Sequence, residues 1–138
     1  MKRTIACLVG PKKFELFDEE IRPIEDDEML IQTISAGLCH SDTNIYLGEA
    51  NIVYNKYGNM CRGNMEYPIE FGHEPVGRVV ETGKNIRKFK KGDIVSGPTL
   101  LQGAFTDYII VKEIQMAKIP EGTRNIEKCL VEPIQCCV

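Results

Sequence analysis

Glycine, proline and charged turns recur along this chain at intervals that leave room only for short extended segments. That spacing narrows the fold more than any other feature. RTIACLV, KFELFDEEI and EMLIQTISAG follow one another with PKK and EDD between them, and EPVGRVVETG, KKGDIVSG, GAFTDYIIV and QMAKIP come later. Each is short, carries β-branched or aromatic residues and is closed by a turn signal, so each reads as a strand. Many such strands in succession predict a mainly β domain, a small antiparallel barrel or sandwich. A length of 138 residues is enough for one domain with a real core and not for two.

Three stretches break the rhythm. After Cys39, SDTNIYLG predicts a single helical turn capped by Ser41 or Asp42 and stopped by Gly48. Between residues 49 and 70, GNMCRGNM repeats a Gly-Asn-Met triplet, which favours turns over regular structure. At the end, NIEKCLVEPIQCCV places Ile126, Leu130 and Ile134 at helical spacing, with Pro133 either kinking the helix or opening a new first turn. The apolar face around those three residues needs a cover, and a second copy of the chain is the expected one. The abrupt finish at Val138 suggests a longer parent.

Seventeen Lys and Arg stand against twenty Asp and Glu, a net charge of −3. That balance gives no electrostatic reason to expect nucleic acid or an anionic membrane as a partner. No apolar run approaches membrane-spanning length, and MKRTIACLVGPKKF lacks a secretory core, so the cytoplasm is the expected location. Cysteines stand at 7, 39, 61, 129, 136 and 137, without paired CxxC spacing. They do not suggest a disulfide framework, and most read as small buried apolar side chains. Only Cys39 lies where chemistry is expected.

The nearest histidine to Cys39 is His40, but neighbours on an extended segment point to opposite faces and do not grip one ion together. The only other histidine is His73. Cys39, His73, Glu74 and Glu132 together offer the thiolate, imidazole and carboxylate groups that zinc accepts in a tetrahedral shell. Their separations along the chain are too long for a zinc finger and suit a site assembled by tertiary structure. Spacing alone leaves an ordinary buried thiol and a carbonyl-bonded histidine as competing readings.

Local sequence discriminates further. GLCHSDT, GHEPVGRVVETG, FKKGDIV and VEPI occur in this order, and the chain resembles the N-terminal half of the zinc-dependent medium-chain dehydrogenases, the alcohol and polyol dehydrogenase family. The resemblance implies a GroES-like β-barrel over residues 1–138 that holds one catalytic zinc, and a separate Rossmann domain that binds NAD or NADP. It implies Cys39 and His73 as metal ligands, with Glu74 beside the metal and Glu132 in the third protein-ligand position. Which glutamate is the third ligand stays open. Ser41 resembles the hydroxyl that takes the proton from the alcohol, Asp42 the carboxylate that orients the histidine, and His40 a residue beside the cofactor pyrophosphate.

The chain departs from that pattern at three points. The closely spaced cysteines that hold a structural zinc are missing: only PTLLQ separates GDIVSG from GAFTDY. The interval between Cys39 and His73 is longer than usual, so NIVYNKYGNMCRGNM is expected as a loop near the substrate mouth. No G-x-G-x-x-G occurs in residues 1–138. Two function classes follow. One is the catalytic-zinc domain of an NAD(P)-linked alcohol or polyol dehydrogenase, inactive without its cofactor half. The other is a free-standing GroES-like module that binds metal or protein without catalysis; a zinc-less reductase of the quinone type is weaker, given Cys39, His73 and Glu74.

Overall fold

The computed structural model describes residues 1–49, 52–54, 60–62, 65–99 and 103–135. Ten strands carry it: β1 (Lys2–Gly10), β2 (Lys13–Glu20), β3 (Glu28–Gly37), β4 (Ile52–Tyr54), β5 (Met60–Arg62), β6 (Ile69–Glu70), β7 (Glu74–Thr82), β8 (Ile94–Ser96), β9 (Tyr108–Lys112) and β10 (Ala117–Lys118). All pair antiparallel, in a five-stranded sheet of order β10-β8-β7-β3-β9, a three-stranded sheet β2-β1-β6 and the pair β4-β5. A bridge between Ile5 and Thr106 links β1 to the approach of β9. The expected mainly β, antiparallel architecture is therefore present, but the described sheets do not close into one continuous barrel.

The core sits under the five-stranded sheet. Met29 and Ile31 of β3, Val79 of β7, Val95 of β8 and Ile109 and Val111 of β9 pack with Ile86, Phe89 and Met116. Met29, Leu30 and Ile31 are all buried in sequence, so β3 is covered on both faces over its first half, as expected of a central strand. Register shifts between Leu30 and Ile31 and between Thr33 and Ser35 then bend it before it reaches Gly37. Gly77, opposite Thr33 in the register, has no room for a side chain: a Cβ would come within 2.8 Å of the Gln32 carbonyl oxygen. It serves close backbone approach inside a strand rather than a turn.

Two sequence expectations need correction. The helical segment after Cys39 is α1 (His40–Leu47), two turns long, with Gly48 ending it in the left-handed conformation at φ 77°. Its N-cap is Cys39 itself rather than Ser41 or Asp42. Asp42 contributes from the third helical position, where its Oδ2 accepts the Cys39 N–H at 2.9 Å. The C-terminal stretch is not one helix. It is a 3-10 turn at Ile126–Lys128 followed by α2 (Glu132–Gln135), with Pro133 in the first turn, where a missing N–H costs nothing. Ile126, Leu130 and Ile134 therefore do not form a single helical stripe.

In the long 49–70 interval, β4 and β5 pair from Ile52 opposite Arg62 to Tyr54 opposite Met60, so part of GNMCRGNM is strand rather than turn. The expected loop at a substrate mouth falls largely on residues outside those described.

A buried ion pair fixes the entry to β3. Glu28 is nearly inaccessible, and both of its oxygens accept from the half-exposed Arg22 guanidinium, at 2.7 and 2.8 Å, with the Glu25 N–H adding a third bond at 2.9 Å. The Arg22 bonds hold the Glu28 carboxyl below its ordinary range despite burial. A depressed carboxylate contributes stability that is complete above its unfolded pKa, ~4.3, and lost as pH falls through the folded value. Glu28→Gln should therefore lower stability at pH 7 by about 1–3 kcal/mol. Denaturant melts from pH 7 down to 3 should show the gap to the parent closing below the carboxylate range.

Candidate metal centre

The site is built at one end of the β3–β7 pair. Their register sets Gly37, the last residue of β3, opposite Glu74, the first of β7. Cys39 follows Gly37 by two residues and His73 immediately precedes Glu74, so antiparallel pairing delivers both to the same edge. A sulfur of Cys39, a ring nitrogen of His73 and a carboxylate oxygen of Glu74 all lie within 4.8 Å of one another. Ligands on a tetrahedral zinc at 2.0–2.3 Å would stand about 3.3–3.8 Å apart, so a small inward movement suffices. Glu132, arriving at the head of α2, places Oε1 4.0 Å from His73 Nε2, and Glu74 Oε1 stands 3.9 Å from the same nitrogen.

The two ring nitrogens are therefore distinguished. Nε2 faces the two glutamates, while Nδ1 lies 3.3 Å from Oδ1 of Asp42, a carboxylate only 1% exposed. Because Oδ2 of the same group holds the Cys39 N–H, Asp42 ties together the backbone of one candidate ligand and the ring of the other. This is the arrangement that fixes a metal-binding imidazole with Nε2 free for the ion. The hydrogen bond that His73 donates to Asp42 is the main reason that the imidazole is pushed up to about 9, with burial opposing and Cys39 and Glu132 adding to the rise.

Burial, reinforced by the neighbouring Glu132 carboxyl, raises Glu74 above the carboxylate range. A part-buried thiol, an imidazole and two crowded carboxyls form a donor set suited to a divalent, borderline-soft cation such as zinc.

Sequence reasoning assigned no part to Gly37, though it lies in GLCHSDT. A Cβ there would come 2.0 Å from Oε2 of Glu74 and 3.0 Å from Leu130 Cδ1. The absent side chain is the space that Glu74's carboxylate occupies. Of the other expected residues, Ser41 and His40 lie on the first turn of α1 and are exposed, beside the cluster rather than in it. Cys7 and Cys129 are free thiols outside the cluster, and Cys61, Cys136 and Cys137 lie outside the described side chains.

In the metal-free protein, Asp42→Asn should bring the His73 pKa down from about 9 toward the ordinary ~6.5. The raised histidine contributes stability that is complete below ~6.5 and lost as pH rises through about 9, so the variant should lose that pH dependence. Imidazole proton shifts followed by NMR across pH 5–10 check both statements. An unchanged His73 titration would mean that Asp42 does not control the ring.

Comparison with known proteins bears on the fold and the family. A family model described as the alcohol dehydrogenase GroES-like domain matches residues 25–121, 97 of the 138. An L-threonine 3-dehydrogenase from Protochlamydia amoebophila is 36% identical across 54% of this chain and 19% of its own length. A D-arabitol-phosphate dehydrogenase from Enterococcus avium is 24% identical across 94% of this chain and 41% of its own. In structure, an Escherichia coli oxidoreductase/dehydrogenase of unknown specificity superposes with a TM-score of 0.78 at 27% identity, over 96% of this chain and 44% of that one. The chain thus spans less than half the length of these relatives. With the fold, the ordered motifs and a match across most of its length in agreement, the chain belongs to the alcohol dehydrogenase GroES-like domain family, the N-terminal domain of zinc-type medium-chain dehydrogenases.

Proposed function

We propose that residues 1–138 are the GroES-like catalytic-metal domain of a zinc-dependent, NAD(P)-linked alcohol or polyol dehydrogenase. The single observation that carries this reading is the convergence of Cys39, His73 and Glu74, with Glu132 facing the same ring nitrogen. Cys39 and His73 are the constant ligands, and Glu74 and Glu132 compete for the remaining protein position. One zinc held there supplies Lewis acidity, which eases ionisation of an alcohol near neutral pH. Asp42 keeps the His73 ring oriented with Nε2 inward. Ser41, exposed at the start of α1, receives the alcohol proton at Oγ and passes it outward.

His40 is exposed on the same turn, and the family resemblance gives it the role of a residue beside the cofactor pyrophosphate. Residues 1–138 contain no G-x-G-x-x-G turn to grip a pyrophosphate. Hydride transfer needs the nicotinamide held at near-attack distance, so residues 1–138 by themselves should not turn over alcohols. The relatives named as threonine and arabitol-phosphate dehydrogenases support a small hydroxylated substrate.

The test uses residues 1–138 and zinc, with metal content measured after desalting. One zinc per chain is expected, and Cys39→Ser should abolish stoichiometric uptake. If uptake survives that substitution, the metal lies elsewhere and the proposed centre is wrong. Adding NAD or NADP with a panel of alcohols and polyols should yield no reduced cofactor at enzyme-like rates. Turnover by residues 1–138 would contradict the division of labour assigned to them.

A further inference from the structure

The segment that carries Glu132 has no sheet ladder of its own. From Ile126 to Val131 it runs as a 3-10 turn and an irregular stretch, with internal bonds Lys128 N–H to the Asn125 carbonyl and Cys129 N–H to the Ile126 carbonyl. Two serine hydroxyls tie it to the body of the domain. Ser35 of β3 donates to the Glu127 carbonyl at 2.7 Å. Ser96, the last residue of β8, accepts the Val131 N–H at 3.1 Å.

Ser96 is a firm anchor. It is 1% exposed and lies opposite Val76 of β7 on one side and Ala117 of β10 on the other. The N–H it holds belongs to Val131, the residue immediately before Glu132, so the start of α2 is fixed within one residue of an inner strand. Between the two ties, Leu130 leans over the gap left by Gly37. α2 itself is four residues long and cannot hold its own position by helix formation.

We infer that Ser35 and Ser96 are positioning residues for the metal centre, docking the 126–131 segment so that the Glu132 carboxylate stands beside His73 Nε2. The inference rests on the reading of Glu132 as a group that faces the bound metal. Neither hydroxyl touches the proposed metal; each acts on it through Glu132. Removing a group that orients a metal ligand commonly lowers metal affinity by 10–100-fold, and Ser96→Ala is expected near the lower figure, with Ser35→Ala weaker.

A merely structural role would weaken the site whether or not Glu132 is present, so the test is a double-mutant cycle on zinc affinity. Zinc dissociation constants are measured by competition with a chromogenic chelator for the parent, Ser96→Ala, Glu132→Gln and the double variant. Circular dichroism confirms that each is folded. Ser96→Ala should cost about tenfold in the parent and nothing further once Glu132 is replaced. Ser35→Ala runs the same cycle if Ser96→Ala does not fold. Equal losses with and without Glu132, or no loss in either background, overturn the inference. Cys39→Ser in the same assay separates the two levels: zinc binding that survives it removes the metal centre itself, whereas lost binding with additive serine effects removes only the docking role.

Discussion

The register between β3 and β7 is the constraint from which the site follows, because it alone decides which residues meet at the sheet edge. With Gly37 opposite Glu74, the residues just beyond β3 and just before β7 emerge together, 34 positions apart in sequence. A slip of one residue would turn Glu74 to the other face of the sheet and separate it from Cys39. Several features hold that register. β3 is buried over its first half and paired on both sides, and Gly77 lets the Gln32 carbonyl approach β7 closely. Gly37 plays the same part at the ligand end, where the space is given to a carboxylate rather than a backbone oxygen.

The charge arrangement at that edge is costly without a cation. Asp42 and Glu74 are buried, Glu132 is nearly so, and the described basic group in their midst is one imidazole. Burial and the neighbouring Glu132 carboxyl raise Glu74, and the hydrogen bond to Asp42 raises His73 to about 9, so the imidazole keeps its proton at neutral pH. A divalent ion would replace the His73 proton, so binding should release it and add to stability. At a metal concentration a thousand times its dissociation constant, that addition is about 4 kcal/mol.

Much of this was legible in the sequence, for identifiable reasons. Strand rhythm is a local property, and the first three strands and β7 to β10 stand where Gly, Pro and charged turns bounded them. Cys39, His73 and Glu74 were legible because each lies in a short motif whose order along the chain matches a family. What escaped depended on tertiary neighbours. The C-terminal periodicity suggested one helix, but Leu130 is drawn over Gly37 and the Val131 N–H bonds to Ser96 instead of continuing a helical ladder. The cap of α1 was misplaced because Asp42 acts from inside the helix on the residue before it. Gly37 and Ser96 gave no signal, since a missing Cβ and a buried hydroxyl acquire meaning only from what packs against them.

The central claim is that one cysteine, one histidine and carboxylate oxygen form the metal shell. Zinc-edge X-ray absorption on the chain loaded with one equivalent of metal tests it most directly, because sulfur scatters at a longer distance than nitrogen or oxygen. The account predicts a single sulfur near 2.3 Å, with the remaining ligands nitrogen or oxygen at about 2.0–2.2 Å. Two or more sulfurs would place the metal at other cysteines, and a shell without sulfur would exclude Cys39; either result would contradict the site described.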